Sequence, residues 1–140
     1  MAGTEVVRAL WALFQARRWQ DARALFADDA VCHWWSSGEQ FTGADAIIHV
    51  NAIYPEGWQI HLIEVNALAD GRVHSIVRVT LQDGPTVFAN SLFRLRDGLI
   101  TAVDEYWSTI EAPPAWRSEG RLPGWRQLPQ DTRGSVPTVQ

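Results

Sequence analysis

From Trp58 to Ser108 the chain consists of four stretches rich in Val, Ile, Leu, Phe and Thr, residues 58–68, 72–82, 86–96 and 99–108. Asp70-Gly71, Asp83-Gly84-Pro85 and Asp97-Gly98 divide them. Asp-Gly pairs supply the positive-φ residues that tight hairpin turns require. This half of the chain therefore reads as an antiparallel meander of four long strands. Such a sheet must bury a face, and the residues before it supply the cover. Val6, Leu10, Leu13 and Phe14 recur along one side of a helix, which Thr4 can cap and whose first turn holds Glu5. Trp19, Ala22, Leu25 and Phe26 mark a second, short helix. Asp28-Asp29 ends it and opens an extended segment, Ala30 to Trp35, followed by a polar loop, Ser36-Ser37-Gly38-Glu39. Gly43-Ala44-Asp45 begins a third helix carrying Ile47, Val50 and Tyr54. Pro55 stops it, because a residue before proline avoids helical geometry.

The expected organisation is one α+β domain over residues 1–110 and a tail over residues 111–140. The tail's five prolines, three glycines and four arginines show little periodicity and read as extended. Pro113-Pro114-Ala115-Trp116-Arg117 and Trp125 suggest a lid over a cavity mouth or an arm docked on a partner subunit; a loosely attached extension is the alternative. A net charge of −4 offers no attraction to nucleic acid or anionic membranes. No apolar run approaches the ~18 residues of a membrane span. No export signal is legible at the N-terminus, and Cys32 is alone, so a cytoplasmic setting is expected. All twelve basic residues are Arg, which excludes lysine Schiff-base chemistry and a P-loop lysine. The histidines at 33, 49, 61 and 74 lack metal-ligand spacing, and no metal or organic cofactor is implied.

Three segments carry a family resemblance. Ala24-Leu25-Phe26-Ala27-Asp28-Asp29-Ala30-Val31 resembles the helix-to-strand junction of the nuclear transport factor 2-like superfamily. Leu92-Phe93-Arg94-Leu95-Arg96-Asp97-Gly98-Leu99-Ile100 is similar to its last hairpin, and Glu105-Tyr106-Trp107 to its final strand. The resemblance implies three N-terminal helices packed on a strongly curved antiparallel or mixed sheet, a cone-shaped α+β barrel around a cavity. In the register it implies, Cys32 and Trp34 point inward from the first strand. So do His74, Ile76, Arg78 and Thr80 from the third, Val87, Ala89, Ser91 and Phe93 from the fourth, and Val103, Glu105 and Trp107 from the fifth. Such a lining fits a small hydrophobic ligand.

Three chemistries of the superfamily can be set against these positions. Ketosteroid isomerase chemistry needs a tyrosine and two aspartates where this chain has Leu10, Trp34 and Ser91, so that activity is rejected. Limonene epoxide hydrolase uses an Asp–Arg–Asp relay. Arg78 and Glu105 match part of it, but Thr80 replaces the other aspartate, and Cys32 and Trp34 replace the water-holding pair. The SnoaL-like, polyketide cyclase-like group uses one acidic residue in a greasy pocket, a role Glu105 can fill. Arg78 is then its expected partner, orienting it for cyclisation, isomerisation, dehydration or hydrolysis, or merely forming a structural ion pair. A non-catalytic binding or sensing domain and an assembly module with a filled cavity are the rival readings. Val73, Val77, Val79 and Leu81, with Phe88 and Leu92, are expected to coat the sheet's other face and to make a homodimer there.

Overall fold

Periodicity and turn chemistry place most elements within a residue or two of where they occur. The computed structural model describes residues 1–129. Helix α1 spans Gly3–Gln15, α2 Trp19–Arg23 and α3 Ala44–Ala52. The strands are β1 Phe26–Trp34, β2 Glu39–Thr42, β3 Trp58–Ala67, β4 Val73–Leu81, β5 Val87–Arg96 and β6 Leu99–Thr109, and a single helical turn, α4, covers Ala115–Ser118. One curved, unclosed sheet runs in the order β2-β1-β6-β5-β4-β3. β1 lies parallel to β6, and every other pairing is antiparallel. No helix among the described residues is long and apolar enough to cross a membrane.

Several local expectations are corrected. Helix α1 begins one residue before Thr4, with Ala2 as its N-cap and no side-chain cap bond. Gly3 can start it there because its bare Cα comes close to β4: a Cβ would meet Val73 Cγ2 at 2.9 Å. β1 starts already at Phe26, before the two aspartates, which lie exposed on the strand. The polar segment after Ser36 also pairs more than expected. Glu39–Thr42 forms an edge strand whose backbone bonds to β1, and Phe41 meets the Trp34 ring at 4.6 Å. The Asp97-Gly98 turn behaves as its chemistry requires, with φ of 53° and 78°, both in the left-handed region.

The largest correction concerns the face of β4. Residues paired directly across antiparallel strands share a face. Val73, Ser75 and Val77 pair with Phe93, Ser91 and Ala89, so this set faces the helices. His74 pairs with Leu92, Ile76 with Asn90 and Arg78 with Phe88, so His74, Ile76, Arg78 and Thr80 stand on the outer face. Val73, Val77, Val79 and Leu81 accordingly belong to the inside and are not part of an outer coat. The physical reason is that α1 needs apolar partners, and the valines of β4 join Val6, Val7, Leu10 and Phe14 in one buried core. One buried polar contact joins the layers: Trp11 Nε1 donates to Ser75 Oγ at 3.0 Å.

Candidate functional site

The inward positions of successive strands line up in rows. One row runs Trp34, Glu105, Ser91, Ser75 across β1, β6, β5 and β4. The row beneath it runs Cys32, Val103, Phe93, Val73, all buried. On the other side lie Trp107, Ala89 and Val77. Above this part of the sheet the helices leave space unfilled, with Ala89 and Val77 among the smaller side chains beneath it. The result is a cavity of about 110 Å³. Trp34, Glu105, Trp107, Val87 and Ala89 line it from β1, β6 and β5, as the inward register implies. Cys32, Ser91, Phe93 and Val103 lie on the same face but deeper, under the floor rather than on the wall.

The rest of the wall was not among the expected lining. α1 contributes Trp11 and Phe14, the end of α3 and its following loop contribute Asn51 and Tyr54, β3 contributes Trp58 and Ile60, and β4 contributes Val77, Val79 and Leu81. Tyr54 is 38% exposed and stands at the mouth. Trp116, in contrast, is 67% exposed and lines no part of the cavity, so within one chain the described part of the tail does not close it. Trp125 sits with Glu111, Pro113 and Arg117 around a separate surface hollow formed by the tail itself. Residues 130–140 of the expected tail lie outside the described residues.

Among the described residues, Glu105 is the one ionisable carboxyl of the cavity wall. Part of its surface is reachable through the cavity, but protein surrounds it closely enough for loss of hydration to dominate its titration. Burial pushes its carboxyl up to about 7. Opposing that shift, Trp107 Nε1 donates to Glu105 Oε2 at 3.3 Å, and the Ser91 hydroxyl and Trp34 indole lie near enough to favour the charged form. The Ser91 hydroxyl does so without a well-formed hydrogen bond, and the buried Trp58 indole N–H likewise has no partner among the described residues.

Arg78 does not orient Glu105. It stands opposite Phe88 and His61 on the outer face, while Glu105 stands opposite Ser91 on the inner one. His74 and Thr80 are also removed from the site: His74 Nε2 meets Asn90 Oδ1 at 3.1 Å, and Thr80 Oγ1 lies 3.4 Å from His61. Cys32 is inert where it lies, its thiol pushed up by burial and then by the neighbouring Glu105 charge. Among the described residues no group of three or more His, Cys, Asp or Glu side chains could hold a metal ion.

Aromatic rings make most of the wall. Trp34 and Trp107 meet at 4.6 Å with their planes 53° apart, forming a corner beside Glu105. Trp11 packs edge-on to Phe14 at 5.9 Å, and Trp58 carries the Arg17 guanidinium 3.2 Å above its ring. Arg17 is held there by Glu56, at 2.9 Å, and by the Trp58 carbonyl, at 2.8 Å.

With this geometry in view, comparison with known proteins is informative. The profile of the SnoaL-like domain family matches residues 7–103. The chain belongs to the SnoaL-like domain family. No curated protein matches this SnoaL-like chain in sequence. Among solved structures, a provisionally named ketosteroid isomerase from Kribbella flavida DSM 17836 superposes with a TM-score of 0.78 at 24% identity, covering 93% of this chain and 92% of that one. An NTF-2 like protein of unknown function from Burkholderia xenovorans LB400 gives 0.73 at 19% identity, covering 89% and 94%. Bal32a, from a soil-derived mobile gene cassette, gives 0.68 at 23%, covering 76% and 88%. At these identities the likeness establishes the nuclear transport factor 2-like fold, and the SnoaL-like chain's chemistry rests on its own residues.

Proposed function

We propose that this SnoaL-like chain binds a small, largely apolar molecule in the cavity and uses Glu105 as its acid or base. One observation carries the reading: a single carboxyl on an aromatic wall, whose burial raises it to about 7. A group that titrates near the working pH can both give and take a proton, which is the requirement for general acid–base work. The expected role of Arg78 as orienting partner is replaced by the Trp107 indole and the Trp34 and Ser91 side chains. Ketosteroid isomerisation is not proposed, despite the name of one structural neighbour, because Leu10, Trp34 and Ser91 cannot serve as its tyrosine and two aspartates.

Size narrows the guest. An engineered apolar cavity of ~150 Å³ accepts benzene, so a cavity of about 110 Å³ suits one ring or its aliphatic equivalent. The test is to identify such compounds by ligand-observed NMR and then incubate each binder in D₂O with the wild-type chain and with Glu105→Gln. Deuterium entering the bound compound, or its conversion, in the wild type alone is the expected result. A second reading, a binding domain without turnover, is favoured by the scarcity of other polar groups on the wall, where Asn51 and Tyr54 are the main ones. Binding by both forms with no exchange in either would establish that reading and end the catalytic one.

A further inference from the structure

The cavity's charge and its walls, taken together, restrict the guest further. Glu105 reaches the cavity, yet among the described residues no Arg or His lines it, and the side chains acting on the carboxyl are Trp107, Ser91 and Trp34. A carboxylate in such a place usually has a cation beside it, because an unpaired buried charge is costly. Here the protein leaves the position next to the carboxyl empty of positive charge and surrounds it with indole rings. The negative faces of indole rings attract cations, most strongly where water is excluded. The wall already shows this affinity at its far end, where the Arg17 guanidinium rests on Trp58. The chain's net charge of −4 also favours approach of a cation over an anion.

We propose that the natural guest is a small cyclic amine in its ammonium form, its nitrogen against Glu105 in the corner of Trp34 and Trp107 and its ring against the apolar wall. This deepens the pocket reading and rests on it. The ammonium supplies the counter-charge that no described side chain of the wall provides, and it can donate to the carboxylate beside the Trp107 N–H. A carboxylic acid guest would meet Glu105 as a like charge, and a neutral ether would leave the carboxylate unpaired.

Piperidinium and tetrahydropyran, rings of the same size with and without the charge, separate the possibilities. Each is titrated into the chain while the Trp34 and Trp107 indole N–H signals are followed by NMR at about pH 8, where Glu105 is ionised. The expected result is that piperidinium binds about tenfold or more tightly than tetrahydropyran. Glu105→Gln should bring the two affinities together. If that variant does not fold, the wild-type preference should shrink at about pH 5.5. Cys32, beneath the floor, does not contribute to that change, because burial holds its thiol well above the interval. Equal or tighter binding of tetrahydropyran at the higher pH would overturn the cation and leave the pocket standing. Binding of neither ring would overturn both.

Discussion

Glu105 sets what single substitutions should do. Folding lifts its carboxyl from the ordinary range near 4.5 to about 7, so between those values the native state keeps a proton that the unfolded chain has lost. Its contribution is therefore fully present below about pH 4 and is lost as pH rises through about 7, an effect on the order of 3 kcal/mol. Glu105→Gln should remove this slope. Urea unfolding should show the variant gaining on the wild type between about pH 5 and pH 8, and parallel curves would refute the burial argument. The two buried serines make a complementary pair. Ser75→Ala takes the acceptor from the Trp11 indole and should cost about 1–2 kcal/mol. Ser91→Ala breaks no well-formed bond and should cost less, while pushing the Glu105 carboxyl still higher, which an NMR titration of labelled glutamate would read. At this scale the expected inward placement of Glu105, Trp34 and Trp107 matches their positions on the cavity wall. The expected pairing with Arg78 does not form, because the register implied by the resemblance turns β4 over and Arg78 stands on the outer face.

That failure belongs to the strand as an element. Side chains alternate along a strand, so misplacing one residue of β4 moves all of them to the wrong side. The resemblance to other families suggested His74, Ile76, Arg78 and Thr80 as the inward set. The strand's own pattern, with Val73, Val77, Val79 and Leu81 in alternate positions, holds the opposite message. The amphipathic α1 must rest on an apolar surface, and these four residues help to supply it beside those of β3. β5 and β6 were read correctly because their apolar alternation and the resemblance agree. β2 was hidden by its polarity, since an edge strand can be held by backbone bonds with little apolar signal. Trp58, Ile60, Asn51 and Tyr54 reach the cavity only through the curvature of the sheet and the path of the chain after α3, which alternation alone does not encode. The corrected face makes its own prediction. Val79→Trp should fill the cavity and weaken ligand binding by at least about tenfold, whereas Thr80→Trp, one residue on, should leave affinity unchanged. The reverse order in a binding titration would restore the original register.

At the scale of the whole molecule, the helices cover only the concave side, and the question is what the convex side meets. The expectation of a homodimer cannot rest on Val73, Val77, Val79 and Leu81, which the fold places inside. Phe88 and Leu92 do remain on the outer face, and β4 adds Ile76 in place of the valines. Tyr106 from β6 and Trp35 beyond β1 are 50% and 49% exposed, larger apolar surfaces than a sheet in water needs. Trp35 is not idle there: it stacks on His33 at 4.6 Å, and its Nε1 donates to Asp104 Oδ1 at 2.9 Å, so the patch is held in a fixed shape before any partner arrives. Both signs of charge border it, Arg94 and Arg78 against Asp104, which lets a twofold pair match opposite charges across the axis. We propose that a second copy of the chain covers this face. Sedimentation at micromolar concentration should give a dimer mass for the wild type. Leu92→Arg and, as a more exposed alternative, Tyr106→Arg should shift it to the monomer. Because both residues lie on the opposite side of the sheet from Glu105, cavity affinity should survive in the monomers. A monomeric wild type, or a dimer indifferent to both substitutions, would place the contact elsewhere.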